Sequence, residues 1–141
     1  MPGKGRARAM KPDVSEAVNT ALQRMRRISG FEHVRFIILH GSAAEGRATR
    51  ESDIDLCMYY DGNRTEAARF RHRVLSALTD PRFDIQVFQQ LPLYVRVGVL
   101  KGTPVFVSTP EFLYETATRT LRDFDDFKHR LYDYTGQAAI R

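Results

Sequence analysis

Apolar positions recur every three to four residues in some parts of the chain and every second residue in others, which predicts alternating helices and strands. The helical period runs from Asp13 to Gly30, and Asp13 is predicted to cap this first helix. Two short runs rich in β-branched and aromatic residues follow and predict buried strands at residues 34–40 and 54–60. The segment between them, residues 43–52, is small, polar or charged and predicts a loop or a short helix.

The second half of the chain repeats this alternation. A helical period over residues 64–79 is followed by strict alternation over 83–88, which predicts a third strand. Residues 91–100 favour a short helix, and 103–108 predict a fourth strand. Pro110 then opens a long helix whose apolar stripe is predicted to face the core. The predicted architecture is a small mixed β-sheet flanked by helices, in the α/β or α+β class.

Length and charge define how the chain is organised. With 141 residues it corresponds to one domain, predicted to span residues 13–141 behind a flexible basic tail at 1–12. The net charge is +5, yet residues 1–27 carry seven basic and two acidic groups, and the other 114 residues carry 15 of each. The body is therefore not expected to bind nucleic acid. The tail could contact phosphate, or it could simply be solvated.

Cysteine content and hydropathy exclude several protein classes. The single cysteine, Cys57, excludes an intramolecular disulfide framework and a cysteine-rich zinc site. No run of 18 apolar residues is present, so no membrane span is expected, and the basic N-terminus lacks the apolar stretch of a secretory signal. A cytoplasmic protein is predicted, and its oligomeric state is left open.

Candidate chemistry lies around the first three strands. Gly41 and Ser42 follow a strand end, where exposed backbone N–H groups can bind phosphate. Asp53 and Asp55 are two residues apart, which places both carboxylates on one face, where they repel each other unless a cation lies between them. Hard oxygen ligands beside a phosphate indicate Mg²⁺. Asp84, on the third strand, could share that metal or accept a proton from an attacking hydroxyl.

Each of these features alone also occurs in ordinary turns and solvated strand edges, but their order is diagnostic. The pattern G-S-x₃-G-x₅-S-D-x-D-L resembles the signature of DNA polymerase β-type nucleotidyltransferases, and the short chain resembles their minimal nucleotidyltransferase (MNT) members. The resemblance covers residues 32–108. It implies that Gly41, Ser42 and Ser52 bind the triphosphate. Glu45 departs from the family, since many relatives carry a basic residue there.

The resemblance also implies a reaction. Asp53, Asp55 and Asp84 would be the metal ligands and catalytic residues, with Mg²⁺ as cofactor and ATP as substrate, and an acceptor hydroxyl would attack the α-phosphate while pyrophosphate leaves. Some minimal members act as antitoxins that transfer AMP to a tyrosine of a HEPN-type protein partner, and the resemblance implies the same role for this chain. Two alternatives stay open: a non-catalytic antitoxin with the same fold, and transfer to RNA or to a small molecule.

Overall fold

A computed structural model describes residues 10–47 and 52–135 of the chain. The predicted architecture is confirmed: a four-stranded mixed sheet lies between helices. Of the predicted tail, residues 1–9 lie outside the described residues, whereas Met10 packs half-buried against the core.

Within residues 10–47 and 52–135, four α-helices and four strands follow one another almost where the sequence pattern predicts them. In chain order they are α1 (Pro12–Met25), β1 (Val34–His40), β2 (Ile54–Tyr60), α2 (Arg64–Ala77), β3 (Phe83–Val87), α3 (Leu93–Val99), β4 (Thr103–Val107) and α4 (Pro110–Thr135). Short 3₁₀ turns precede β1 and follow β3. Within the described ranges, no helix is both long enough and apolar enough to cross a membrane.

The sheet order is β3-β2-β1-β4. β1 runs antiparallel to both of its neighbours, and β2 runs parallel to β3 through the α2 crossover. This topology brings the end of β1 to the same edge of the sheet as the beginnings of β2, β3 and β4. That edge receives the side chains that the sequence singles out.

Each face of the sheet has its own core. On the first face, α1 and α2 pack their apolar stripes, and the buried side chains of these two helices are Val14, Val18, Ala21, Leu22, Met25, Ala67, Phe70 and Val74. On the second face, Phe36, Ile38, Cys57 and Phe88 are buried under α3 and the start of α4. Alternation along the strands therefore determines which residues face α1 and α2 and which face α3 and α4.

The predicted cap of α1 is wrong. The helix begins at Pro12, its N-cap residue is Lys11, and no side chain caps it. Proline at the first helical position already has the required φ and lacks the N–H that would need a partner. The Asp13 carboxylate instead accepts a hydrogen bond from Arg82 at 3.1 Å. A tertiary partner therefore replaces the local cap.

The stripe of α4 enters the core only along its first half. Thr116 and Thr120 are buried, and the Thr120 hydroxyl donates to the Thr116 carbonyl at 2.7 Å. Beyond Thr120 the helix leaves the body, and Leu121 and Tyr134 are 50% and 89% exposed. The prediction that the whole stripe faces the core is therefore wrong for the second half, because the sheet ends before the helix does.

Candidate active site

Three polar residues form a row across the sheet edge. Asp55 on β2 is paired in register with His40 on β1 and with Asp84 on β3. All three side chains lie on the second face of the sheet, since they alternate with the buried residues of the first face. Asp53 lies just before β2, two residues from Asp55, with an exposed side chain. The structure thus brings Asp55 and Asp84 side by side and leaves Asp53 at the rim.

The charges of this row act on Asp55. Burial raises the pKa of the Asp55 carboxyl, and the negative charges of Asp84 and Asp53 and a side-chain hydrogen bond with Asp84 raise it further. His40 acts in the opposite direction. A cation bound beside Asp55 would stabilise its ionised carboxylate against this neighbouring negative charge.

Gly41 gives the Asp55 carboxylate its space. This glycine has φ of +79°, a conformation that residues with a side chain rarely adopt, and a Cβ atom there would lie 2.6 Å from Asp55 Oδ2. The glycine therefore serves two purposes: it turns the chain at the end of β1, and it leaves the carboxylate uncovered.

The turn after Gly41 presents backbone groups beside the row. The Gly41 carbonyl accepts from the N–H group of Ala44 at 3.2 Å, and the Ser42 carbonyl accepts from the N–H groups of Glu45 and Arg47 at 3.2 and 3.0 Å. Among the backbone hydrogen bonds between described residues, none within this turn uses the N–H groups of Ser42 and Ala43. Ser42 is half-buried. A turn of this kind, with N–H groups near a strand end, suits a phosphate.

Ser52 and the charges of the loop complete this region. Ser52 is half-buried in a bend directly before Asp53. Glu45, which departs from the family pattern, is paired with Arg47 at 2.6 Å. The nearby basic residue Arg50 lies outside the described residues. Arg47 therefore balances the charge of Glu45 locally.

Arg82 ties together the segments that carry the aspartates. Its backbone carbonyl accepts from Ile54 N at 2.8 Å, which joins the start of β2 to the start of β3. Its guanidinium binds Asp80 at 2.7 Å and Asp13 at 3.1 Å, and its hydrogen bonds lower the pKa of the Asp80 carboxyl. This clamp fixes β3 against β2 and α1, so that Asp84 stays in register with Asp55.

Two residues of this face are absent from the predicted site. Gln86 Nε2 donates to Asp84 Oδ2 at 3.2 Å, which orients that carboxylate. Gln86 Oε1 and His40 Nε2 are buried and make no hydrogen bond with any residue in the described part of the chain. Strand alternation in the sequence could have indicated the face of both residues. Gln86 is two residues after Asp84 on the same strand, and His40 is the last residue of the strand before Gly41.

The donor set fits a divalent cation that also binds a substrate. Across residues 10–47 and 52–135, no three His, Cys, Asp or Glu side chains converge into a complete metal cage. Mg²⁺ needs no such cage, since it takes one or two carboxylates and completes its shell with water and phosphate oxygens. Asp55 and Asp84 meet this requirement. The arrangement can bind a cation-bound phosphate chain and place a carboxylate near its reacting end.

Comparisons with known proteins agree with this geometry. Residues 25–111 match the sequence profile described as polymerase beta, nucleotidyltransferase. A protein of Methanocaldococcus jannaschii, whose name describes it as a candidate protein adenylyltransferase, is 28% identical over 95 residues, which are 67% of this chain and 73% of the relative.

Solved structures share the fold at low sequence identity. A chain of a toxin–antitoxin crystal structure with AMP-PNP superposes with a TM-score of 0.63 and 16% identity, over 86% of this chain and 94% of the other. A chain of a structure described as a tri-AMPylated Shewanella oneidensis HEPN toxin in complex with MNT antitoxin gives a TM-score of 0.62 at 14% identity, over 87% and 96%. The fold therefore has known counterparts among solved structures.

Proposed function

The chain belongs to the polymerase β nucleotidyltransferase family, and from this membership we propose that it transfers AMP from ATP to a hydroxyl of a HEPN-type protein partner, as the antitoxin of a toxin–antitoxin pair. The reaction would take place in the cytoplasm, where ATP is available. The observation that carries the proposal is the in-register pair of Asp55 and Asp84 beside the Gly41 turn. This arrangement combines a phosphate-binding turn with two acidic oxygen ligands on one face.

The chain's own residues have distinct parts in the proposed reaction. Gly41 leaves room for a phosphate close to the backbone, and the Ser42 hydroxyl and the N–H groups of the turn would bind its oxygens. Ser52, in the bend before Asp53, would support the same nucleotide. Together these groups would orient the α-phosphate toward the acceptor, and this positioning supplies much of the rate in phosphoryl chemistry.

Asp84 is the residue placed to receive the proton. Gln86 donates to its Oδ2 at 3.2 Å and so orients the carboxylate on the sheet face where the acceptor hydroxyl would lie. Asp55 and Asp84, with Asp53 at the rim, would hold Mg²⁺. When bound, the cation neutralises the triphosphate and stabilises the charge that develops on the leaving pyrophosphate.

The proposed partner follows from the relatives and from the shape of the chain. One matched solved structure is described as a tri-AMPylated HEPN toxin in complex with an MNT antitoxin, and another as a toxin–antitoxin structure with AMP-PNP. A chain of this size, with a charge-balanced body, offers little surface to enclose a small acceptor. A folded protein that brings its own contacts is therefore the substrate class that fits best.

The test is transfer of labelled nucleotide to a co-purified partner. The full chain is incubated with a HEPN-type protein that co-purifies with it, α-labelled ATP and Mg²⁺, and the partner is then analysed by intact-mass spectrometry. We expect an added AMP on the partner, lost with EDTA and with Asp55→Asn or Asp84→Asn. Asp61→Asn is the matched control, because this carboxylate pairs with Arg35 at 2.6 Å at the opposite edge of the sheet.

Three outcomes would contradict the proposal in different ways. A partner that binds tightly without any change in mass would show a non-catalytic antitoxin. Label on RNA ends or on a small molecule, with none on protein, would show a different acceptor. Transfer that persists in both aspartate variants would remove Asp55 and Asp84 from the chemistry.

A further inference from the structure

The apolar stripe of α4 continues with one regular spacing from the core into solvent. Its positions alternate in steps of four and three residues, the spacing of a coiled-coil seam. The members of this stripe are Leu113, Ala117, Thr120, Phe124, Phe127, Leu131 and Tyr134. The first three are buried or half-buried against the body, and the exposure then increases to 46% at Phe127 and 89% at Tyr134. We call the stretch 121–134 the distal segment.

The distal segment leaves an apolar stripe exposed to water. Phe127, Leu131 and Tyr134 of this stripe are 46%, 41% and 89% exposed, whereas Leu121 and Tyr132 lie to one side of it on the helix. With roughly 200 Å² for a large apolar or aromatic side chain, the three stripe residues expose about 350 Å², within the range of the largest patch on a monomer. Two such surfaces together bury about 700 Å², the size of a weak interface that forms only at high protein concentration.

The charges of the distal segment are complementary to themselves. Asp123, Asp125 and Asp126 precede Phe127 together with one basic residue, Arg122, so the first half of the segment is net acidic. Lys128, His129 and Arg130 follow Phe127 together with one acid, Asp133, so the second half is net basic. An antiparallel pair that crosses at Phe127 therefore sets the acidic half of one helix against the basic half of the other, twice. A parallel pair sets acid against acid and base against base. Within one helix, the Asp125–His129 contact of 3.7 Å is exposed and weak.

We propose that two copies of this chain pair in solution through their distal segments, antiparallel and crossing near Phe127. The aromatic and leucine side chains of the stripe form the centre of the interface, and the acidic and basic halves of the distal segment set the antiparallel direction of the pair. A two-fold axis requires one surface to be complementary to itself, which is the property that this charge order provides. The pairing leaves the row of His40, Asp55 and Asp84 uncovered and does not depend on the proposed function.

The first test is the mass of the full chain in solution. Sedimentation velocity over micromolar to millimolar concentrations should show a monomer–dimer equilibrium. Phe127→Glu should weaken the dimer about 30-fold or more, as expected for loss of a central aromatic residue. Tyr94→Ser is the matched control: it removes an aromatic residue that is 71% exposed on α3, outside the seam, and should leave the equilibrium unchanged.

Two further variants test the direction of pairing. Asp123→Arg should weaken the dimer, and adding Arg130→Asp should restore it, because the reversed charges face each other again. Phe127→Cys should form a disulfide-linked dimer under mild oxidation, whereas Tyr134→Cys should not, since 14 residue steps separate the two cysteines by about 21 Å in an antiparallel pair. The buried native Cys57 does not interfere.

Measurements of oligomeric state, cross-linking and hydrogen exchange can each overturn the proposal. A chain that stays monomeric up to millimolar concentration, or a dimer that Phe127→Glu leaves intact, refutes pairing through this surface. Cross-linking of Tyr134→Cys at the rate of Phe127→Cys refutes the antiparallel direction. A distal segment that is protected from hydrogen exchange only in the presence of a different protein assigns the surface to that protein instead.

Discussion

Replacing Gly41 with alanine should damage the site by displacing the carboxylate beside it. The added Cβ atom would lie 2.6 Å from Asp55 Oδ2, whereas ordinary contacts begin at 3.4 Å. The carboxylate must therefore retreat by about 0.8 Å, or the turn must move away from it. A displacement of this size at a reacting group lowers turnover by up to about 10²-fold.

The same substitution also strains the backbone. Gly41 has φ of +79°. A residue with a side chain held in such a conformation costs about 1–3 kcal/mol. For a domain of this size, about 4 °C of melting temperature corresponds to each kcal/mol, so the melting temperature should fall by roughly 4–12 °C. The variant should still fold at room temperature, which allows activity and stability to be measured separately.

The assay combines thermal unfolding with AMP transfer under conditions where the variant is folded. Gly30→Ala is the control for strain: it has φ of +104°, but its Cβ would meet Tyr60 and Phe70, at the opposite edge of the sheet. It should lose stability and keep transfer. Gly98→Ala is the control for the substitution itself, because no atom lies within 4 Å of its Cβ position. In α3 it should gain up to about 1 kcal/mol.

Two results would refute this reasoning. If Gly41→Ala transferred AMP at the wild-type rate, the close approach to Asp55 would have no functional meaning. If Gly30→Ala lost activity to the same extent while folded, strain alone would explain the defect.

Three further predictions concern single side chains. Asp55→Asn should raise the free energy of unfolding at neutral pH. Because the folded-state pKa of Asp55 lies above its ordinary value of 3.8, the stability of the wild-type chain falls as the pH rises from 3.8 through the folded-state pKa. Urea titrations that show the same dependence of stability on pH for both proteins would contradict this. Ser42→Ala should raise the KM for ATP about 5–30-fold, corresponding to about 1–2 kcal/mol, with little change in kcat, and an unchanged KM would remove the hydroxyl from the site. Burial raises the pKa of the Cys57 thiol to about 12, so iodoacetamide at neutral pH should label only unfolded chains, and rapid labelling of native protein would disprove its burial.

Periodicity was sufficient for the elements but not for their tertiary partners. The strands at 34–40 and 54–60 have the predicted bounds, because each is a continuous buried run ended by a clear turn signal. Asp13 shows the limit of a local pattern, since its carboxylate pairs with Arg82, far away in sequence. The cap of α2 shows the reverse: Asn63 and Glu66 form a capping box that the local sequence already contained.

The site was predictable in its residue types and less so in its geometry. Strand alternation could place Asp55 and Asp84 on one face, but only the parallel register of β2 and β3 makes them neighbours. The antiparallel register of β1 and β2 adds His40 to the row; strand alternation gives the face of His40 but not its pairing with Asp55. The exposure of the α4 stripe was not predictable either, because the spacing of apolar residues is the same where the sheet covers the helix and where it does not.

The parallel pairing of β2 with β3 also determines when the site can exist during synthesis. A parallel pair cannot close as a hairpin, since it requires the α2 crossover in between. Asp55 and Asp84 are separated by 29 residues, which a ribosome adds in roughly 1.5–6 seconds. During that interval the nascent chain already contains Gly41, Ser42, Asp53 and Asp55, and it lacks β3, which carries Asp84. We therefore expect the growing polypeptide to be inactive until β3 has docked beside β2. Formation of this tertiary pair, rather than translation of the signature motif, would then be the step that completes the active site.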